Sequence, residues 1–148
     1  MILDYETAEH KIRDIVSNSS NVLEDVVIFL YENFDYYSWI GIYIVKGNDL
    51  ILGPWKGLHA TEHTKIPIGQ GICGSAASSG KTEVIPGVTA DNRYLSCFVS
   101  TKSEIVVPIS KKGKIVGEID IDSDVKNAFT RKDKVFLEKI ADMLSKHI

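Results

Sequence analysis

Residues 118–122 read Glu-Ile-Asp-Ile-Asp, and this alternation of acids and β-branched residues could serve acid–base chemistry. A period of two is the side-chain period of a β-strand, so the three carboxylates share one face. Neighbours on such a face lie about 6.5 Å apart, and crowded acids raise one another's pKa. One acid can then stay protonated near neutrality. The spacing therefore indicates proton donation or the binding of a cationic group.

Two further predicted strands add side chains to the same kind of face. In segment 39–45, two aromatic residues oppose a row of isoleucines, and in segment 104–109 an acid opposes another aliphatic row. The aliphatic rows suit packing under helices. The opposite rows carry Trp39, Tyr43, Glu104, Asp120 and Asp122. Aromatic walls with carboxylates suit a small ligand with a cationic amine, and a face exposed to water is the alternative.

Two cysteines, Cys73 and Cys97, could supply redox chemistry. Cys73 lies at or next to the start of a short predicted helix, where free N–H groups and the helix dipole favour a thiolate. Cys97 lies in a long polar segment between Arg93 and Lys102, whose charges would favour its thiolate if the segment folds back. Two unrelated core thiols are the alternative to a redox pair. No spacing of His or Cys resembles a zinc site, so no metal is expected.

The elements that must position these residues follow from hydrophobic periodicity. Amphipathic helices are predicted over about 4–17 and 21–34, about six strands with a small helix ending at Gly80 follow, and a closing helix has Thr130 as its N-cap. This order predicts an α+β fold, an antiparallel sheet with helices on one face. A length of 148 residues corresponds to one domain.

Composition limits the classes of partner. The formal net charge of −3 gives no indication of binding to nucleic acid or to an anionic membrane. No apolar run approaches the roughly 18 residues of a membrane span. The first residues include acids where a secretory signal has a basic start, so we expect a cytoplasmic protein with reduced cysteines unless it uses their redox chemistry itself.

Five motifs in order carry a family resemblance. They are WIGIYIV, LGPWKG, IPIGQGICGSAA, SEIVVPI and GEIDIDS. Together they resemble the free methionine-(R)-sulfoxide reductases, which are single GAF domains. The resemblance implies a GAF-like six-stranded antiparallel sheet over residues 1–148, with the N- and C-terminal helices on one face and a ligand pocket on the other. It also implies reduction of free L-methionine (R)-sulfoxide, without a cofactor, by a cysteine thiolate.

The resemblance assigns roles residue by residue. Its substrate contacts fall on Trp39, Tyr43, Glu104, Asp120 and Asp122. Its nucleophile falls on Cys97, and the cysteine of the GxCG motif is Cys73. Glu104 and Asp122 are also catalytic candidates, because one acid must protonate the sulfoxide oxygen. The sulfenic acid formed on Cys97 would become a disulfide that thioredoxin or a similar dithiol reduces.

Two positions depart from the family pattern. Family members usually carry a further cysteine where Thr61 stands, so resolution of the oxidised nucleophile falls to Cys73, falls to an external thiol, or does not occur. A hydrophobic residue is more usual at Glu118, and we expect Glu118 to point to solvent beyond the pocket.

Two rival functions stay open at this point. The first is a non-enzymatic GAF sensor of small molecules or redox state, although 148 residues leave no room for an output domain. The second is a regulatory thiol switch that forms a disulfide without releasing methionine. A homodimer is left open as an assembly.

Overall fold

The architecture is that of a computed structural model that describes residues 3–94 and 100–148. Its α-helices are α1 Tyr5–Asn18, α2 Val22–Asn33, α3 Gly71–Ser79 and α4 Arg131–Leu144. Its strands are β1 Trp39–Lys46, β2 Asp49–Gly57, β3 Lys65–Pro67, β4 Glu83–Ile85, β5 Ser103–Lys111 and β6 Lys114–Ser123. Single turns of 3-10 helix span Val88–Ala90 and Ser145–His147. Among the helices of the described residues, none has the length and apolar character that crossing a membrane requires.

The strands form one six-stranded sheet in the order β3-β2-β1-β6-β5-β4. Every neighbouring pair is antiparallel, and β1 and β6 lie at the centre. Helices α1, α2 and α4 cover one face, and α3 packs against β5 and β6 on the other. The predicted α+β class, with six strands and the terminal helices on one face, is confirmed.

The larger core lies between the sheet and the helices α1, α2 and α4. The aliphatic rows predicted from the period of two enter it, with Ile40, Ile105 and Ile121 fully buried. The apolar spacing of α4 predicts that Val135 belongs to its buried stripe, and this is wrong, because Val135 is 42% exposed. Leu137 is buried instead, because it lies two residues and about 200° further round the helix, on the side that faces the sheet.

Local sequence signals set the ends of several elements as predicted. Helix α3 ends at Gly80, whose φ of 72° is a left-handed conformation that glycine adopts without steric cost. Helix α4 begins with a capping box, in which the backbone N–H of Thr130 donates to Asp133 Oδ2 at 2.9 Å.

The second oxygen of Asp133 joins three parts of the chain. Its Oδ1 accepts hydrogen bonds from the hydroxyls of Tyr5 at 3.1 Å, Tyr36 at 2.5 Å and Tyr37 at 2.8 Å. Burial, together with hydrogen bonds to Asp133 and its charge, raises the pKa of Tyr36 and Tyr37 far above the ordinary value. The three hydroxyls therefore remain donors, and α1, the α2–β1 connection and α4 are held by one carboxylate.

We expect Asp133→Ala to lower the free energy of unfolding by about 3 kcal/mol or more, because it leaves buried donors without an acceptor. In a chain of this length such a loss lowers Tm by roughly 6 to 12 °C. Thermal unfolding measured by circular dichroism checks the value. Asp142→Ala on the exposed side of the same helix is the matched control and should leave Tm nearly unchanged. Equal effects of the two variants would contradict the role of Asp133.

Candidate active site

The three central strands arrange the predicted site residues as a grid on the face opposite the large core. Its first row is Trp39, Asp122 and Glu104, its second is Gly41, Asp120 and Val106, and its third is Tyr43, Glu118 and Pro108. Residues in one row are directly opposite across antiparallel pairs, with Cβ atoms about 4.5 to 5.5 Å apart. The period of two thus brings together all five residues predicted to contact a ligand.

This face is closed to water. Glu104, Asp120 and Asp122 are 3–5% exposed, so the alternative of a wet sheet face is wrong. The expectation that Glu118 points to solvent is also wrong, because its side chain is 0% exposed. Strand β6 begins at Lys114, four residues earlier, so Glu118 lies within the strand and beneath α3.

The carboxyl groups shift one another's protonation. Burial, followed by the charges of Asp120 and Asp122, raises the pKa of Glu104 well above its usual range. Burial also raises the pKa of Asp120 and of Asp122, and for Asp122 the charge of Asp120 adds to it. Among the described residues, one oxygen each of Asp120 and Asp122 is buried without a hydrogen-bond partner. The group is therefore suited to hold protons near neutrality or to receive a cation.

Trp39 lies flat along this face because its neighbours are glycines. A Cβ atom at Gly41 would lie 2.4 Å from the indole of Trp39, and one at Gly57 would lie equally close to the other end of the ring system. The indole also stacks on Trp55, with ring centroids 6.2 Å apart and planes at 14°. The two glycines give the aromatic wall its position.

The connection between β2 and β3 covers the other end of the grid. The hydroxyl of Tyr43 donates to the backbone carbonyl of His63 at 2.7 Å, and the backbone N–H of His63 donates to Thr61 Oγ1 at 3.0 Å. Thr61, which stands near the place where the resemblance implies a cysteine, is buried. Tyr43 thus holds this connection over the site in addition to forming its wall.

Two cavities open along the grid. The larger, of about 300 Å³, is lined by Ser38, Trp39, Leu58, His59, Ser100, Thr101, Asp122 and Asp124. The smaller, of about 20 Å³, is lined by Tyr43, His63, Ile66, Ile72, Cys73, Glu104 and Asp120. The volume of the larger cavity lies in the range of small-molecule binding sites, and the smaller cavity has room for about one water molecule.

Cys73 is in the first turn of α3, as predicted, but its thiol is buried among acids. Burial, then the charges of Asp120, Glu118 and Glu104, raises the pKa of Cys73 well above its usual range. The expectation of a stable thiolate at this helix end is therefore wrong, because desolvation and three carboxylates outweigh the helix dipole.

The acids around Cys73 also bear on metal binding. Cys73 Sγ and one oxygen each of Glu104 and Asp120 lie within 4.8 Å of one another, and these three residues are the donors among the described residues that could approach a cation together. The sequence predicted no metal, and this stays a prediction.

The predicted nucleophile Cys97 falls outside the described residues, which end at Tyr94 and resume at Ser100. On the near side of that segment, the guanidinium of Arg93 donates two hydrogen bonds to Glu83, at 3.0 and 3.2 Å, and two to Asp91. The charge of Arg93 is thus already balanced by two carboxylates. Its predicted action on the thiolate of Cys97 stays a prediction.

Sequence reasoning missed several residues of the site. His63, Ser100 and Thr101 line its cavities from connections that have no periodicity, so no pattern indicated them. For Glu118 the signal existed, since it belongs to the same period of two as Asp120 and Asp122. Its place at the start of the acidic run led us to expect solvent there, and the packing of α3 against β6 buries it instead.

Comparisons with known proteins match this geometry to one family. The GAF domain family model matches residues 11–148. Free methionine-R-sulfoxide reductase of Saccharomyces cerevisiae is 38% identical over 99% of this chain and 82% of its own length, and that of Escherichia coli is 34% identical over 84% and 74%. A free methionine-R-sulfoxide reductase from Neisseria meningitidis, solved with its substrate, superposes with a TM-score of 0.90 at 32% identity, covering 96% of this chain and 86% of that one. The chain belongs to the free methionine-R-sulfoxide reductase family.

A member of the free methionine-R-sulfoxide reductase family is a GAF-domain oxidoreductase, so the predicted family, fold and enzyme class are confirmed. The roles that the free methionine-R-sulfoxide reductase motifs assign to single residues stay predictions.

The raised carboxyl pKa values predict how stability depends on pH. The folded protein keeps protons that the unfolded chain releases above about pH 4, so unfolding releases protons and stability falls as the pH rises from there towards the raised values. Asp122→Asn removes one such group. We therefore expect the Tm of this variant to fall less between about pH 5 and pH 8 than the Tm of the parent protein. Asp142→Asn at an exposed position is the control and should follow the parent. Parallel curves for all three proteins would contradict the buried-acid assignment.

Proposed function

We propose that this protein reduces free L-methionine (R)-sulfoxide to methionine. The observation that carries the proposal is the buried row of Trp39, Asp122 and Glu104 beside a cavity of about 300 Å³. The relatives from Saccharomyces cerevisiae and Escherichia coli, which are named for this activity, support the proposal.

The site chemistry fits a free amino acid better than a residue within a protein. Glu104, Asp120 and Asp122 offer buried acceptors, and no base of residues 3–94 and 100–148 is paired with them. The α-ammonium of a free amino acid would supply the missing positive charge. A residue inside a polypeptide has an amide there and no charge. Trp39 and Tyr43 would enclose the S-methyl end and exclude water.

Cys97 is the proposed nucleophile. It is three residues from Ser100, which lines the larger cavity, and three residues span at most about 11 Å. The Cys97 thiolate attacks the sulfoxide sulfur and forms an S–S bond while one acid of Glu104, Asp120 and Asp122 protonates the sulfoxide oxygen. That oxygen then moves to the Cys97 sulfur as the S–O bond and the new S–S bond to the substrate break, and methionine is released. In the net reaction, the oxygen passes from the substrate to Cys97, the sulfoxide is reduced to methionine, and the thiol is oxidised to sulfenic acid.

The enzyme must then be reduced. We propose that Cys73 attacks the sulfenic acid of Cys97 to form a disulfide, which requires Cα atoms within about 7 Å of each other. Thioredoxin or a similar dithiol would reduce this disulfide in the cytoplasm, where such reductants keep thiols reduced. Direct reduction of the sulfenic acid by an external thiol is the alternative route.

The function is tested with the reduced protein, racemic free methionine sulfoxide and dithiothreitol. Half of the substrate should disappear with an equal amount of methionine formed, because only the R epimer at sulfur reacts. Chiral chromatography should identify the remaining half as the S epimer. Binding without any loss of substrate would favour the small-molecule sensor instead.

A glycine pair provides the matched control for the site. Gly41→Ala should lower kcat/KM at least about 10-fold, because its Cβ would displace the indole of Trp39. Gly87→Ala makes the same chemical change where nothing lies within 4 Å and should retain the activity.

Substitution of each cysteine should block a different step of the reaction. Cys97→Ser should abolish even the single turnover that reduced protein performs without added reductant. Cys73→Ser should release one methionine per chain and then fail to recycle with thioredoxin. Methionine is measured by rapid quench and amino-acid analysis. The opposite pattern would reverse the assignment of nucleophile and resolving thiol.

A further inference from the structure

Cys73, Glu104 and Asp120 bring one thiol and two carboxyl groups from three separate elements to one point. The Sγ of Cys73 and one oxygen of each acid lie within 4.8 Å of one another. All three side chains belong to residues that are more than nine-tenths buried. All three also line the smaller cavity, of about 20 Å³, which has room for about one water molecule or one small ion.

One atom of this group is buried without a partner. Oδ1 of Asp120 has no hydrogen-bond partner among the described residues. The ion pairs within residues 3–94 and 100–148 involve other acids, so no lysine or arginine there balances Glu104 or Asp120. A buried acceptor of this kind lowers stability until a donor or a cation reaches it. The unpartnered oxygen is independent of the spacing of the three donors, and it indicates a ligand with positive charge.

The three donors stand on rigid parts of the fold. Glu104 and Asp120 belong to the paired strands β5 and β6 and are diagonal neighbours across that pair. Cys73 is in the first turn of α3. The next residue, Gly74, packs so closely on the end of β3 that an added Cβ would lie 2.7 Å from the carbonyl oxygen of Pro67. Donors held in this way need little rearrangement to bind an ion.

The donor set selects the kind of ion. A thiolate is a soft ligand that favours Zn²⁺, whereas Mg²⁺ and Ca²⁺ prefer shells of oxygen ligands. Zn²⁺ takes four ligands in a tetrahedron, at about 2.3 Å from sulfur and about 2.0 Å from oxygen, so its ligand atoms are roughly 3.5 Å apart. Donor atoms within 4.8 Å of one another reach this spacing by shifts of under about 1 Å each. The fourth position stays open to a water molecule.

We propose that Cys73, Glu104 and Asp120 bind a single Zn²⁺ ion. Metal ligands are deprotonated, so the protons that the thiol and the acids hold pass to solvent as the ion enters. The two positive charges of the ion then offset two of the three negative charges of its ligands, and no atom is oxidised or reduced. The proposal departs from the sequence-based expectation of no metal, because donors from three elements form no local motif. The site itself does not depend on the proposed function.

Cobalt(II) is the probe, because it adopts the tetrahedral geometry of Zn²⁺ and absorbs strongly in the near-ultraviolet when a thiolate is among its ligands. Titration of the protein, reduced with a phosphine, should produce this absorption and saturate at one ion per chain. Because the chain has two cysteines, Cys97→Ser is the matched control and should keep the absorption, whereas Cys73→Ser should lose it. Zn²⁺ should displace the cobalt, and excess Mg²⁺ should not. Absorption that survives in Cys73→Ser or is lost in Cys97→Ser would overturn the site.

Removal of either carboxylate should weaken binding. Glu104→Gln and Asp120→Asn should each lower the affinity for Zn²⁺ at least about 10-fold in competition with a chelator. Glu62→Gln, the same change at an exposed position, should match the parent. Parental affinity in both acid variants would overturn the assignment of the ligands.

Thermal unfolding separates lost binding from lost folding. Zn²⁺ should raise the Tm of the parent, because an ion that binds only the folded chain stabilises it. The Tm of Cys73→Ser should not respond to Zn²⁺, while circular dichroism shows that the variant is folded. An equal rise in Tm for both proteins would place the ion elsewhere and overturn the site.

Bound Zn²⁺ should also stop turnover, because it takes two acids to which the proposed function assigns the substrate. In a single turnover without added thiol, methionine release should cease when the ion is bound and recover when a chelator removes it. This consequence rests on the proposed function, and the outcomes separate the two. If the parent releases no methionine, the proposed function fails, and the cobalt titration still decides the metal site. If the parent releases methionine but binds neither cobalt nor Zn²⁺, the metal site is overturned and the reductase activity stands.

Discussion

The burial of several carboxyl groups on one face of the sheet is the constraint on which the site depends. Four acids from β5 and β6 lie beneath α3 and the β2–β3 connection, where water cannot stabilise their charges. Such a group persists only if its members hold protons or receive a cation. The same constraint supplies both halves of the proposed chemistry, since a cationic ligand is attracted and an acid is available at the reacting oxygen.

The rest of the fold supplies stability that offsets the cost of burying these acids. The aliphatic rows of the same three strands form the large core with α1, α2 and α4, so one strand pattern serves stability on one face and chemistry on the other. Asp133 provides a contrast within the same molecule. It is as deeply buried as the acids of the site, yet its oxygens accept from three tyrosine hydroxyls and from Thr130. A buried carboxylate that accepts hydrogen bonds stabilises the folded protein, whereas one without donors lowers stability until a proton or a cation binds to it.

The sequence was informative where periodicity applies. The period of two on three strands predicted which five residues share a face, and turn and cap signals at Gly80 and Thr130 predicted where helices end. It failed where tertiary packing decides. The packing of α3 over β6 reverses the expected pKa shift of Cys73. The same packing buries Glu118, for which the period of two indicated the face of the strand but not the burial. Loop residues such as His63 enter the site through connections that follow no period.

The stacking of Trp39 on Trp55 has an optical consequence. The chain contains two tryptophans, and both belong to this stacked pair beside the larger cavity. All indole emission of the protein therefore originates at the site, with one ring buried and the other 38% exposed. Occupation of the cavity changes the surroundings of the inner ring directly, so the protein carries its own fluorescent reporter and needs no attached dye.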